Sequence, residues 1–327
     1  MKKYFKFFLV FALLSFFVCG QASAAPIRLQ LAHEQPENHP YHYGAVQFAE
    51  LVREYSNGEI EIQIFPAGTM GRASALVESI SLGTIDFASV FSILLETYAR
   101  EFGVITLPFA FDSWEHAFRV LDGPIGDELK ATVENAGIKV LTFWTNGIAQ
   151  INSIMPIRTP DDMRGRRFRI QEGPSYAALS HALGAVTTPM SFGEVYSALQ
   201  LGTIDVQLQT INNIYSAMFH EVAPYFTKVD MCFNTQPFLM SMQTWNSLTE
   251  EHQDIIMRAS DEAAIRQRAF HAQDTQRALY QVAAQGGTII ELTEAELQQW
   301  RDATAIVLED PQFAELIDTF NRIQAEK

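Results

Sequence analysis

The clearest periodicity in the chain is the strict alternation of Glu59–Phe65 (EIEIQIF), which places Ile60, Ile62 and Ile64 on one face of a strand and polar residues on the other. Ile27–Ala32 (IRLQLA) alternates as well and reads as a first strand. Between them Ala45, Phe48, Ala49 and Val52 recur at helical spacing, predicting a helix over Tyr41–Tyr55 that Ser56-Asn57-Gly58 stops. Pro66-Ala67-Gly68 turns into a second helix, Arg72–Leu82, and Phe87–Val90 follows as a strand. Helices at Trp114–Leu121 and Gly126–Ala136 lead to a buried strand, Ile138–Trp144. Gln150–Met155 reads as a separate crossover strand. Pro156–Gly165 is a turn-rich connector with a short helix at Pro160–Met163.

The second half repeats this grammar. Arg167-Phe168-Arg169-Ile170 alternates, so on a strand both arginines share one face. Gly173-Pro174 ends it, a helix follows at Ser175–Leu183, and Val186–Met190 is another strand. Ser191 and Glu194 form a capping box for a helix whose Val195, Leu199 and Leu201 face inward, and the strand Val206–Gln209 closes the unit. This is β-α-β-α-β, a sheet covered by helices, in which an arginine near the carboxyl end of a strand points into the ligand crevice. Phe226–Met231 and Phe238–Met242 read as two further strands. Leu248–Ala284 is nearly uninterrupted helix pattern, carrying Ile255, Ile256, Ala259, Ala263, Phe270, Leu279 and Val282 as its apolar stripe. It reaches about 50 Å, enough to brace two lobes. Gly286-Gly287 breaks it before a strand at Thr288–Leu292 and a last helix from Glu294.

The pentapeptide LGTID occurs twice, at Leu82–Asp86 and Leu201–Asp205, each time between an amphipathic helix and a strand. The recurrence predicts two similarly built α/β lobes with a cleft between them, where a small ligand sits. The expected division is 25–148 for most of lobe I, 149–235 for lobe II, and 236–327 for a return to lobe I with the bracing helix.

Composition narrows the class. Met1–Ala24 has Lys2, Lys3 and Lys6, an apolar run from Phe7 to Val18, and Ala22-Ser23-Ala24, a signal peptide expected to be cleaved after Ala24 in a periplasmic product. A lipoprotein signal on Cys19 is the alternative, disfavoured by the bulky Phe17 and Val18 before it. Removal of the three lysines takes the net charge from −15 to −18 and leaves Cys232 alone, so no internal disulfide is expected. An exported chain this acidic is a poor nucleic-acid partner. HExxH, CxxC, G-x-S-x-G and GxxxxGK[ST] are all absent. His33, Glu34, His39 and His42 are the nearest approach to a metal set, but they read better as a strand end and a helix entry. No metal and no cofactor is expected. The basic run Arg164–Arg169 is a solvated face or an anion site, and Trp144 and Phe192 are core or ligand-stacking aromatics; pattern alone leaves both pairs open.

Gly165-Arg166-Arg167-Phe168-Arg169, then the run from Pro189-Met190-Ser191-Phe192 through Glu194-Val195-Tyr196 and Ala198-Leu199-Gln200 to Gly202 and Asp205, resembles the solute-binding proteins of tripartite ATP-independent periplasmic (TRAP) transporters, of DctP type. His39-Pro40, Phe48-Ala49, Phe65-Pro66-Ala67-Gly68 with Gly71, Leu82-Gly83 with Asp86, Phe143-Trp144 and Asn146-Gly147 extend the likeness over the mature chain. The resemblance implies a two-lobed periplasmic binding fold, not an enzyme, which closes on an organic acid and delivers it to membrane permease subunits as a monomer or homodimer. It implies that Arg169 anchors the ligand carboxylate, with His33, Glu34, Phe91, Trp144, Gln150, Gln171, Phe192, Gln209 and Asn213 as further ligand-binding positions. Three departures stand out. Ala149 replaces a second arginine found in many members, Gln207-Leu208-Gln209-Thr210 replaces Q-E-N-P, and Phe91 stands where sialic-acid binders place an acid. They predict a monocarboxylate with an apolar or aromatic body. A ligand sensor for a receptor kinase, or a periplasmic hydrolase using Glu34 and His33, are the competing readings.

Overall fold

The computed structural model describes residues 25–327; the leader expected at 1–24, with Cys19, lies outside them. Nine strands form one mixed sheet among the described residues: β1 Ile27–His33, β2 Ile60–Phe65, β3 Phe87–Ser89, β4 Ile138–Ser153, β5 Arg167–Ile170, β6 Val186–Pro189, β7 Val206–Gln209, β8 Tyr225–Ser241 and β9 Thr288–Ile290. Their order is β2-β1-β3-β8-β4-β7-β5-β6, with β9 on β8. The order is a duplication. β1 lies between β2 and β3, both parallel to it, and β3 meets β8 antiparallel. β5 lies between β6 and β7 in the same way, and β7 meets β4 antiparallel. The LGTID copies occupy equivalent places. Gly83 (φ +72°) and Gly202 (φ +67°) take the left-handed turn that ends each helix. Asp86 then accepts the Gln30 N–H of β1 at 2.7 Å, and Asp205 accepts the Arg167 N–H of β5 at 2.9 Å. Each aspartate thus ties its own strand to the central strand of its half.

β4 and β8 run through both halves as single strands of 16 and 17 residues. This corrects the reading of two strands in each place. Asn146-Gly147 and Asn234-Thr235-Gln236-Pro237 interrupt the apolar pattern, but the two strands pair with each other along these stretches, with register shifts near Thr145/Ile148 and Ala149/Ile151. Long-range pairing outweighs local propensity there. Leu201 is a second correction: it sits at a helix C-terminus, 79% exposed, while Val195, Ala198 and Leu199 carry the buried face.

Helices cover the sheet. α1 (Pro40–Tyr55) starts on a proline with His39 as its cap, and α2 (Ala73–Ser81) follows β2. α3 (Pro174–Ala182) and α4 (Val195–Gln200) are their counterparts in the second half. The brace, α5, spans Glu250–Ala284. Its Ile256, Ala259 and Ala263 pack with Phe48 and Trp144, whereas Ala278 and Val282 pack with Phe226 and Ile214 of the other half. Between them Gln267 bonds both Thr145 backbone groups, accepting the N–H at 3.0 Å and donating to the carbonyl at 2.8 Å. The helix is therefore fixed to β4 close to where the halves join.

Candidate functional site

β5 carries both arginines of its alternating run, and the structure gives them different work. Arg167 faces solvent and its guanidinium is taken up by Asp205 and the Gly202 carbonyl. Arg169 lies two residues nearer the carboxyl end of the strand, where the halves meet, and is 1% exposed. Its Nε and Nη2 donate to the Met190 carbonyl at 3.1 and 2.7 Å. Its Nη1 is buried with no partner. Burial lowers its pKa to about 10, opposed chiefly by the Glu34 carboxylate, so it stays charged at neutral pH. A buried cation with a free donor nitrogen fits an incoming carboxylate.

That carboxylate has a place to enter. A small cavity of about 40 Å³ is lined by Arg169, Gln171 and Phe192 from the second half and by Glu34, Arg72 and Phe91 from the first. Five expected site residues, Arg169, Glu34, Phe91, Gln171 and Phe192, therefore surround one space. Burial raises the Glu34 pKa, while Arg169 and other neighbours pull it back.

Next to it lies a set of buried polar groups. His33, at the end of β1, is fully buried; its Nε2 meets His42 Nδ1 at 3.2 Å and its Nδ1 has no partner. Burial first, and His42 second, lower its pKa to about 3. Burial first, then His271 and His33, hold the His39 pKa well below the ordinary range, opposed by a hydrogen bond with Asn213. Asn213 donates to Gln209 Oε1 at 2.6 Å. Both side-chain atoms of Asn146 are buried without partners, while His39 lies against Asn213 and His271 against the Asn146 backbone. Buried polar atoms are seldom left unpaired, so such a concentration marks a place for a polar ligand.

Two expected residues are placed elsewhere. Trp144 stacks on Phe238 at 4.5 Å within the core against α1, although its Nε1 has no partner. Gln150 is used across the β4–β8 irregularity, donating to Asp230 Oδ1 at 2.6 Å and accepting from the N–H groups of Val229 and Asp230 at 2.6 and 2.8 Å. Neither lines this cavity: the Trp144 ring packs in the core and the Gln150 amide bridges two loosened strands. Conversely, Arg72, His39, His271 and Asn146 were not among the expected site residues. Arg72 had a signal, since it follows Gly71 at the cap of a helix after a strand turn. The others are separated in sequence and converge only through β4 and α5. Among the described residues no group of three His, Cys, Asp or Glu side chains is disposed to hold a metal. None of their helices is long and apolar enough to cross a membrane.

Known proteins share this arrangement. The profile of bacterial extracellular solute-binding protein, family 7 (DctP) matches residues 31–315. The chain is 30% identical over 320 residues to the 2,3-diketo-L-gulonate-binding periplasmic protein YiaO of Escherichia coli, covering 94% of this chain and 97% of that one. It is 28% identical over 295 residues to the C4-dicarboxylate-binding periplasmic protein DctP of Vibrio cholerae, covering 90% and 89%. The crystal structure of the sugar acid binding protein DctPAm of Advenella mimigardefordensis with galactonate superposes with a TM-score of 0.89 at 26% identity, over 92% of this chain and 99% of that one. A TRAP solute-binding protein of Shewanella oneidensis with bound succinate gives 0.88 at 26% identity, with the same coverage. With the duplicated sheet, the bridging helix and the buried arginine at the cleft, these likenesses show that the chain belongs to the DctP family of TRAP transporter solute-binding proteins, periplasmic receptors for organic acids and not enzymes.

Proposed function

We propose that the chain captures a hydroxylated monocarboxylate of sugar-acid size, holding its carboxylate on Arg169, and delivers it to the permease of a TRAP transporter after cleavage of the leader at Ala24. The observation that carries this is the unpartnered Nη1 of a fully buried Arg169 lining the cavity between the halves. The apolar or aromatic body expected from Ala149 and Phe91 finds little support. It would leave Arg169 Nη1 and the Asn146 amide with fewer partners, and an unpaired buried polar group costs about 1–3 kcal/mol. Hydroxyl groups both donate and accept, so they answer such atoms in either role. Relatives named for sugar acids support the same direction.

The lobes follow the sequence division at 148/149 and 235/236, except that 288–304 goes with the second half, as the pairing of β9 with Tyr225–Thr227 and the packing of Trp300 with Phe168 and Leu179 support. The duplicated strand order supports this, as do the β4–β8 irregularities where the division falls. In this reading Glu34, Phe91, Gln171, Phe192 and His33 contact the ligand, with Gln209 orienting Asn213.

A second reading is favoured by Arg72, an additional cation on the same cavity: a C4-dicarboxylate would place its second acid group there. Calorimetry with galactonate, succinate and benzoate separates the two. Micromolar binding of galactonate, with succinate and benzoate much weaker, supports the sugar acid. Tight succinate binding supports the second reading, and tight benzoate binding restores the apolar body.

A further inference from the structure

Glu96 is a buried carboxylate that the ligand site does not use. It sits on the turn Ser92–Thr97, which follows β3 in the first half. All of its hydrogen bonds hold the other half or brace that contact. Its Oε1 accepts from Ser175 Oγ at 2.6 Å and from Thr106 Oγ, and its Oε2 accepts the Ser175 N–H at 3.2 Å. The Thr106 and Ser175 hydroxyls are themselves 2.8 Å apart. Ser175 is in the first turn of α3, six residues after Arg169. Among the described residues no lysine or arginine pairs with Glu96. Its electrostatic complement is the positive end of α3.

We propose that Glu96 is a positioning residue for capture: reaching from the first half, it clamps the start of α3 and so fixes the Arg169–Ser175 segment in the closed cleft. The proposal rests on the reading of the cleft as a closing ligand site. Three features support it. The Thr106–Glu96 bond lies within the first half, whereas every bond to Ser175 crosses to the second and exists only when the halves meet. The contact is flanked by a second close approach, since a Cβ on Gly173 would lie 2.2 Å from Ile93 Cγ1. Tyr176, next to Ser175, donates to Asn234 of β8 at 2.6 Å, so the start of α3 is gripped on both sides. Glu96 lies in no strand of the sheet, so its two bonds to Ser175 add to the closed arrangement and not to either half alone.

The test is a distance measurement by pulsed electron paramagnetic resonance. Labels go on Glu78→Cys and Leu201→Cys, exposed and in opposite halves, while buried Cys232 stays unlabelled. In the ligand-free receptor a closed population is expected, and Glu96→Ala should lower it by about threefold or more. Ser175→Ala should lower it too, with no further loss in the double variant. Melting temperatures of the ligand-free variants should stay close to the parent. With galactonate as probe, Glu96→Ala should speed release by about tenfold. An unchanged distance distribution, or no closed population in the parent, overturns the proposal. So does a fall in melting temperature without a change in distances, which is what a residue of the fold alone would give. If galactonate moves neither distance nor stability in the parent, the ligand reading fails, and the ligand-free comparison still decides the role of Glu96.

Discussion

Arg169 and the Met190 carbonyl form a fork that uses only part of the guanidinium: Nε and Nη2 share one oxygen, and Nη1 is buried without a partner. The shared oxygen sets the plane of the group before any ligand arrives. The carboxylate therefore meets a donor whose orientation is already settled, which lowers the ordering cost of binding.

Replacing Arg169 by alanine should cost about 3 kcal/mol of binding, roughly a hundredfold in Kd. The fold should persist, because the side chain bonds only one backbone carbonyl. Calorimetry with galactonate, paired with a melting curve, measures both. Lysine at the same position should restore little, since an ammonium cannot serve Met190 and a carboxylate in one plane.

Glu34 lines the cavity with Arg169 and opposes a second negative charge there. Glu34→Gln should improve succinate binding relative to galactonate. A variant that weakens both equally would assign Glu34 to positioning Arg169 and not to selecting charge.

Gly173→Ala tests closure without touching the ligand. The backbone there is extended (φ 169°), so alanine is tolerated locally. In the closed arrangement its Cβ strikes Ile93, 2.2 Å from Cγ1 and 2.7 Å from Cδ1. Affinity should fall through faster release, with the ligand-free melting temperature unchanged. Trimming the obstacle with Ile93→Ala in the same chain should recover part of the loss.

The buried histidines make the fold acid-sensitive. Burial lowers His33 to about 3 and His271 to about 4, below the ordinary 6.5 that the unfolded chain has. The unfolded state thus binds more protons below pH 6.5. The stability held at neutral pH is lost as the pH falls from about 6.5 toward 4 and then 3, by on the order of 2 kcal/mol per histidine at pH 5. Glu34 and Glu96, raised by burial, shift stability the other way. The histidine share is therefore read as a difference: His271→Gln should flatten the dependence of melting temperature on pH between 7 and 5.

The duplicated halves were legible because LGTID recurs in identical context and because alternation in Glu59–Phe65 and Arg167–Ile170 marks strands directly. Alternation leaves Arg164–Arg169 open between a solvated face and an anion site; the resemblance to the TRAP receptors singles out Arg169, which the structure buries at the end of β5. The continuity of β4 and β8 was not legible, because their polar middles are paired by each other and leave no local trace. The histidine and asparagine ring was hidden for a related reason: His39, Asn146, Asn213 and His271 come from four separate segments. Trp144 and Gln150 carry no sequence signal that separates the two uses, because a tryptophan or glutamine beside a cleft motif looks the same whether it serves the ligand or the core.

The most direct measurement is a crystal structure of the receptor with the ligand it carries from its host or with galactonate added. A carboxylate oxygen within hydrogen-bonding distance of Arg169 Nη1, with ligand hydroxyls meeting His33, His39 or Asn213, is the expected result. A bound molecule with no acid group, or a guanidinium at position 169 that leaves the ligand untouched, would contradict it.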